Sequence, residues 1–198
     1  MAPAAILRSH DFADSDIPLI DIASDEIERM RNPKDDCRRY HSFPPACLAL
    51  LMSIEGNHRC VDCGEPNPQW AAVRYGGLLC LQCSGVHRSL GVQVSSVRSI
   101  SMDDWSLEEL LSMLEGGNRQ LTGFFERHAL SVEGCSVNSK TITPENVTRL
   151  RYKTKAALFY RKQMELHVQK ILDSGPYRGR ESSRRNHCHL ERRNTTLE

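Results

Sequence analysis

Two Cys-x-x-Cys pairs, Cys60/Cys63 and Cys80/Cys83, stand sixteen residues apart in a stretch with little else to hold it together. Residues 58–102 are interrupted by Gly64, Pro66, Pro68, Gly76, Gly77, Gly85 and Gly91, and they are poor in large apolar side chains. Such a segment needs a stabiliser other than a hydrophobic core, and a bound metal supplies one. Zinc takes four soft ligands at the corners of a tetrahedron, and each Cys-x-x-Cys turn offers two thiolates to one ion. The spacing therefore predicts one structural Zn2+ held by Cys60, Cys63, Cys80 and Cys83. No histidine or acid stands out as part of a three-ligand set with an open position, so a closed, non-catalytic site is expected. Gly64, Ser84 and Gly85 suit the tight turns of two such knuckles. The alternative is four unrelated buried cysteines. Of the other thiols, Cys47 sits in an apolar run and reads as core. Cys37 and Cys135 lie in polar segments and read as incidental, and the His-Cys-His of 187–189 is a weaker metal candidate.

Charge narrows the class of partner. The chain of 198 residues has a net charge of +1, but the balance is uneven: 12 basic and 18 acidic residues precede residue 131, and 14 basic and 7 acidic follow. A nucleic-acid-binding zinc finger needs basic residues about its ligands, because phosphate contacts dominate affinity. The cysteine region carries an acid excess, so no nucleic acid is expected as partner. No apolar stretch approaches the roughly 20 residues of a membrane span, and the opening apolar run is too short for a secretory signal. A soluble protein of a reducing compartment is expected, where paired thiols serve metal rather than disulfides.

The periodicity predicts an α+β fold: a small zinc-finger core with short strands, packed against several α-helices. Residues 1–42 lack a sustained apolar period and are expected to be disordered apart from a turn or two of helix in "SDEIERMR". A domain is expected over 43–172. Pro44 and Pro45 open a short helix ending near Gly56 and Asn57. "GLLC" and "VRSISM" read as strands. Ser106 and Glu109 form a capping box ahead of Leu107, Leu110, Leu111 and Leu114. Gly116 and Gly117 end that helix, and Leu121, Phe124, Phe125 and His128 mark the next. Thr143 and Pro144 start one long helix that runs to about Ile171, with Ala157, Tyr160, Met164, Val168 and Ile171 on one side. Residues 173–198 read as a basic, disordered tail.

The residues between and after the cysteines add more. "CVDCGEPNPQW", "YGGLLCLQCSGVHRSLG", "VRSISMDDW" and "GGN…FFERH" together resemble the Arf GTPase-activating-protein (ArfGAP) family, whose motif is C-x2-C-x16-C-x2-C followed by x4-R. The match runs through Cys60, Cys63, Cys80, Cys83 and Arg88, and extends to Trp70, Gly76, Asp103, Trp105 and Asn118. "YKTKAALFYRKQM" resembles the last helix of the Golgi-type members, and coverage is about residues 44–172. Gln93 stands where many members carry His, and Ala72 where many carry Ser.

The resemblance implies an activator of Arf-family small GTPases in their GTP form, not itself an enzyme. Arg88 would be the catalytic arginine donated to the partner, in vesicle traffic. It implies a cytoplasmic protein recruited peripherally to Golgi or endosomal membranes. The charge split along the chain adds the expectation of a weak contact between the basic C-terminal third and anionic lipid. Arg98 has a weaker claim to the partner. Trp70 and Trp105 are expected as core anchors, and Asp103 as a residue that caps or orients. A zinc-supported adaptor that holds Arf without accelerating it is the competing reading, and a nucleic-acid-binding zinc finger is the other.

Overall fold

The structure is a computed structural model that describes residues 17–31, 41–130 and 144–185. Its centre is a three-stranded antiparallel sheet in the order β2-β1-β3, formed by β1 (Trp70–Ala72), β2 (Gly77–Leu79) and β3 (Val97–Ser99). Trp70 pairs with Leu79 on one side and Ser99 on the other. β2 and β3 fall inside the two stretches expected to be strands. β1 was not anticipated, because three residues show no alternation to read. A 3-10 turn, Val73–Tyr75, and a left-handed Gly76 (φ 59°) join β1 to β2.

Gly76 is fixed by crowding as well as by its φ. A Cβ on Gly76 would lie 2.4 Å from the Ser112 carbonyl oxygen and 2.7 Å from Gly116 Cα, and one on Gly116 would lie 2.5 Å from the Gly76 oxygen. Two glycines thus let the sheet turn and the end of a helix meet backbone to backbone, and Gly117 N–H donates to Gly76 O at 2.7 Å.

Helices surround the sheet: α1 (Leu19–Arg31), α2 (Pro45–Ser53), α3 (Leu81–Ser89), α4 (Leu107–Glu115), α5 (Asn118–Arg127), α6 (Pro144–Tyr152) and α7 (Lys155–Asp173). Ser106 and Glu109 form the expected capping box of α4. Trp105 is fully buried, its ring edge-on to Phe43 at 4.8 Å and its N–H on Ser99 O at 3.2 Å. The α5 stripe Leu121, Phe124 and Phe125 is core, whereas His128 is exposed.

Three expectations need correction. The segment 1–42, expected as disordered, contains α1. Its Ala23, Ile27 and Met30 enter the core at i, i+4 and i+7, a period hidden among acids. α1 also caps its neighbour. Pro44 offers α2 no side-chain acceptor, and the Glu26 carboxylate takes the N–H groups of Ala46 (3.1 Å) and Cys47 (3.0 Å) instead. The single helix expected to run to Ile171 is two. Thr154 breaks it, accepting Ala157 N–H at 3.1 Å as the N-cap of α7.

The segment 173–198, expected as a disordered tail, folds back at least to residue 185. Tyr177 is 3% exposed, and residues 180–185 are helical. The attachment is the buried Glu115 carboxylate, which accepts from Tyr177 OH (2.9 Å), Ser183 OH (2.8 Å) and His167 Nε2 (2.8 Å). The Ser24 hydroxyl of α1 donates to the Tyr177 carbonyl, so both flanking segments also touch each other. Thr143, Cys37, Cys135 and residues 187–189 lie outside the described residues. Tyr177→Phe, which removes one donor to Glu115, should cost about 1–2 kcal/mol. Tyr177→Ala, which also empties the site, should cost about 3–5 kcal/mol. Equal denaturation midpoints for Tyr177→Ala and the parent chain would show that the segment is not part of the fold.

Candidate metal centre and arginine site

The first cysteine pair lies on a turn closed by backbone bonds: Cys60 N–H to Glu65 O at 2.7 Å and Gly64 N–H to Cys60 O at 2.9 Å. Gly64 has φ +76°, which a side chain would resist. The second pair is built differently from the expected turn at Ser84 and Gly85. Cys80 is the N-cap of α3, its Sγ accepting Cys83 N–H at 3.4 Å, and Ser84 and Gly85 are helical. The positive end of that helix favours thiolate at both positions.

The fold brings all four sulfurs within 4.8 Å of one another. Cys63 Sγ and Cys80 Sγ are 3.6 Å apart. Four sulfurs on one zinc ion at about 2.3 Å stand about 3.8 Å from each other, so the donor set fits. Its electrostatics point the same way. The hydrogen bond from Cys83 pushes the Cys60 thiol down to about 5. Burial pushes Cys63 up to about 11, and the Cys60 sulfur drives Cys83 up. One thiolate forms readily and each further one meets its charge; a divalent cation removes that opposition. Cys47, read as core from sequence, is fully buried with its thiol on Ala23 O at 3.6 Å, and burial raises its pKa.

Arg88 does not reach the sulfurs. It sits in the last turn of α3, roughly 12 Å along the helix from Cys80. Its side chain is exposed and its guanidinium carbon lies 4.5 Å over the centre of the Trp70 ring. Among the described residues no carboxylate pairs with it. Trp70 is therefore a half-buried platform rather than the expected core anchor. Beside it an open depression of about 870 Å³ is walled by Trp70, Leu81, Cys83, Val86 and Met102. Leu81 and Met102 are each 69% exposed. Arg98 points elsewhere, its Nε on Glu109 Oε1 at 2.7 Å, and Asp103 accepts Ser99 N–H at 2.6 Å. Both support the fold. Asn118 is buried and structural: its Oδ1 takes Leu78 N–H at 2.7 Å, and its amide donates to the carbonyls of Arg59 and Leu78.

What holds the far end of α3 is a group the sequence did not reveal. Asp62, between the first two cysteines, has a side chain 1% exposed. Its Oδ2 accepts from His87 Nε2 at 2.8 Å; its Oδ1 accepts from Tyr152 OH at 2.9 Å and from Arg151. A carboxylate only accepts, so His87 Nε2 carries the proton, and Ser95 Oγ lies 2.7 Å from Nδ1. Burial disfavours the charged carboxylate, but the hydrogen bond and charge of His87, then Arg151 and Tyr152, outweigh it and hold Asp62 below the usual carboxylate range. The residue next to Arg88 is thereby locked to the first knuckle and to α6. The only sequence signals were a histidine and an acid, each among unrelated neighbours.

Residues 46–163 match the ArfGap family model, "Putative GTPase activating protein for Arf". The chain belongs to the ArfGAP family. It is 51% identical over 85 residues to the ADP-ribosylation factor GTPase-activating protein GCS1 of Saccharomyces cerevisiae, covering 43% of this chain and 24% of that protein. It is 48% identical over 110 residues to the human Arf-GAP with coiled-coil, ANK repeat and PH domain-containing protein 3, covering 52% of this chain and 13% of that one. This ArfGAP chain thus spans about a quarter or less of the length of those relatives. A solved structure from Cryptosporidium parvum, named for GTPase activation of ADP ribosylation factor, matches with a TM-score of 0.52 and 25% identity over 62% of this chain and 88% of that one.

Elemental analysis of the folded ArfGAP chain should give one zinc per molecule. Cys63→Ser should lose the metal and unfold residues 58–102. Folded, monodisperse protein free of zinc would refute the site. Asp62→Asn should keep the cysteines but leave Arg151 without its charge partner in the interior, destabilising the chain by about 3–5 kcal/mol; thermal denaturation of the zinc-loaded protein reads this directly.

Proposed function

We propose that this chain stimulates GTP hydrolysis by an Arf-family small GTPase in its GTP form, by supplying Arg88 in trans, and that Zn2+ on Cys60, Cys63, Cys80 and Cys83 is structural. The observation that carries this reading is an exposed arginine that has no counter-ion among the described residues, stacked on Trp70 at the end of a helix anchored at both ends. An unpaired guanidinium on a rigid mount is free to pair with negative charge on a partner. The exposed Leu81 and Met102 supply apolar area for docking. The named activity of the relatives gives the kind of partner.

A small GTPase is slow because little neutralises the charge that spreads over the transferring phosphoryl group. A guanidinium from outside, always charged and forked, does so where the charge develops. Arginines in this role are worth on the order of 10³–10⁵ in rate. Cys60, Cys63, Cys80 and Cys83 would hold the zinc with four thiolates, and it would serve to fix the start of α3 rather than take part in the chemistry. The activator is itself no enzyme, since the reacting nucleotide stays on the partner. Action in vesicle traffic, at Golgi or endosomal membranes with a weak contact of the basic C-terminal third to anionic lipid, completes the reading.

Arg88→Lys keeps the charge but loses the planar fork. It should remove most of the acceleration in single-turnover hydrolysis by Arf, with far less effect on binding Arf-GTP, because the interaction forms chiefly in the transition state. Arg98→Lys should be milder, since Arg98 is committed to Glu109. Full acceleration by zinc-loaded Arg88→Lys would end the arginine reading. A parent chain that binds Arf-GTP without accelerating it would favour the adaptor.

A further inference from the structure

Far from α3 in the sequence, the C-terminal turn and α5 bring arginines together with too few acids to balance them. The Gln120 side-chain oxygen accepts from Arg180 Nη2 at 2.7 Å and also from Arg184 Nη2. Two guanidiniums therefore converge on one neutral amide oxygen. Burial, followed by the charge of Arg184, holds Arg180 below the usual arginine range, and its Nε is buried without a hydrogen-bond partner. A depression of about 460 Å³ opens there, lined by Arg119, Arg127, Arg180 and Arg184 against Glu55 and Glu181. Both acids are already engaged, Glu55 with Arg119 and Glu181 with Arg185. Among the described residues, Arg127, Arg180 and Arg184 form no salt bridge.

The nearby Glu115 carboxylate favours the charge on Arg180 but is already taken up by His167, Tyr177 and Ser183, and among the described residues no carboxylate bonds directly to Arg127, Arg180 or Arg184. The forked donors of arginine match phosphate oxygens two at a time. The volume lies in the range of clefts that enclose small ligands. We propose that the depression formed by Arg119, Arg127, Arg180 and Arg184 binds a multiply phosphorylated anion. The shared chemistry belongs to a phosphoinositide headgroup and to a free phosphate ester. The site would give the anionic contact proposed above a defined place, yet it is independent of Arg88 and of any GTPase.

The test titrates the full, zinc-loaded chain with inositol trisphosphate. A second arm uses phosphatidylcholine vesicles containing about 5 mol% phosphatidylinositol bisphosphate, and others carrying phosphatidylserine at equal charge density. Arg127→Gln with Arg184→Gln, both exposed positions, should weaken inositol trisphosphate binding at least about tenfold. The charge-matched pair Arg29→Gln with Lys162→Gln, both exposed and neither lining the depression, should leave it nearly unchanged. Gln120→Glu places a carboxylate between Arg180 and Arg184, and should abolish binding while keeping or raising the thermal midpoint, which loss of a merely structural contact would not do. Binding of the soluble probe and the phosphoinositide vesicles identifies a lipid headgroup; binding of the soluble probe alone identifies a free phosphate ester. Both uphold the site. Failure of inositol trisphosphate to bind, or equal loss in the two charge-matched pairs, overturns it and leaves any vesicle binding to diffuse charge.

Discussion

A single buried carboxylate organises the part of this molecule that carries the arginine. Asp62 lies inside the first cysteine turn and accepts hydrogen bonds from α3 and from both residues that close α6. An aspartate taken out of water is tolerated only when its charge and lone pairs are met, and here three donors meet them. The arrangement makes three chain segments mutually dependent. The first knuckle needs His87 and Arg151 to bury its aspartate. α6 has its Arg151 guanidinium buried, 4.6 Å over Phe125, and needs Asp62 as counter-charge. α3 gains a fixed C-terminal end, complementary to the cysteines at its start. Tyr152 completes the packing, edge-on to Tyr75 at 4.8 Å and to His87 at 4.3 Å.

Rigidity at both ends of α3 would matter for an exposed arginine in the role proposed for Arg88. A guanidinium on a frayed helix end would lose its orientation to thermal motion, and the cost of ordering it would fall on the encounter. With His87 immobilised and Arg88 resting on Trp70, much of that ordering precedes contact. The four sulfurs alone would fix only the beginning of the helix.

What could be read from the sequence were features whose causes are local. Cysteine spacing, the Ser106/Glu109 box, the Leu107 to Leu114 stripe and the stop at Gly116 and Gly117 all depend on residues within a few positions of each other. What could not be read depends on distant partners. Asp62 and Tyr152 are separated by ninety positions, and nothing in "CVDC" distinguishes an aspartate that takes a histidine and an arginine from one that faces water. α1 was obscured because its apolar stripe is only three residues wide in a strongly acidic segment, and its value lies in reaching Ala46 and Cys47. The break before α7 was legible in principle, since Thr154 is a good N-cap, but the apolar period continues across it almost in phase. Trp70 was misjudged because an aromatic that serves as a platform on one face and as core on the other looks the same as one that is wholly interior.

The flanking segments change what counts as the domain. The family match runs from 46 to 163, yet Glu26 lies before it, and His167, Tyr177 and Ser183 lie after it. A fragment cut at those bounds would retain the four clustered cysteines and Arg88. It would also leave two amides at the head of α2 without their acceptor and a glutamate in the interior with none of its three donors. Boundaries drawn by similarity thus enclose the cysteines and the arginine but divide the body that supports them, and the packed part of this chain extends beyond its shared portion at both ends.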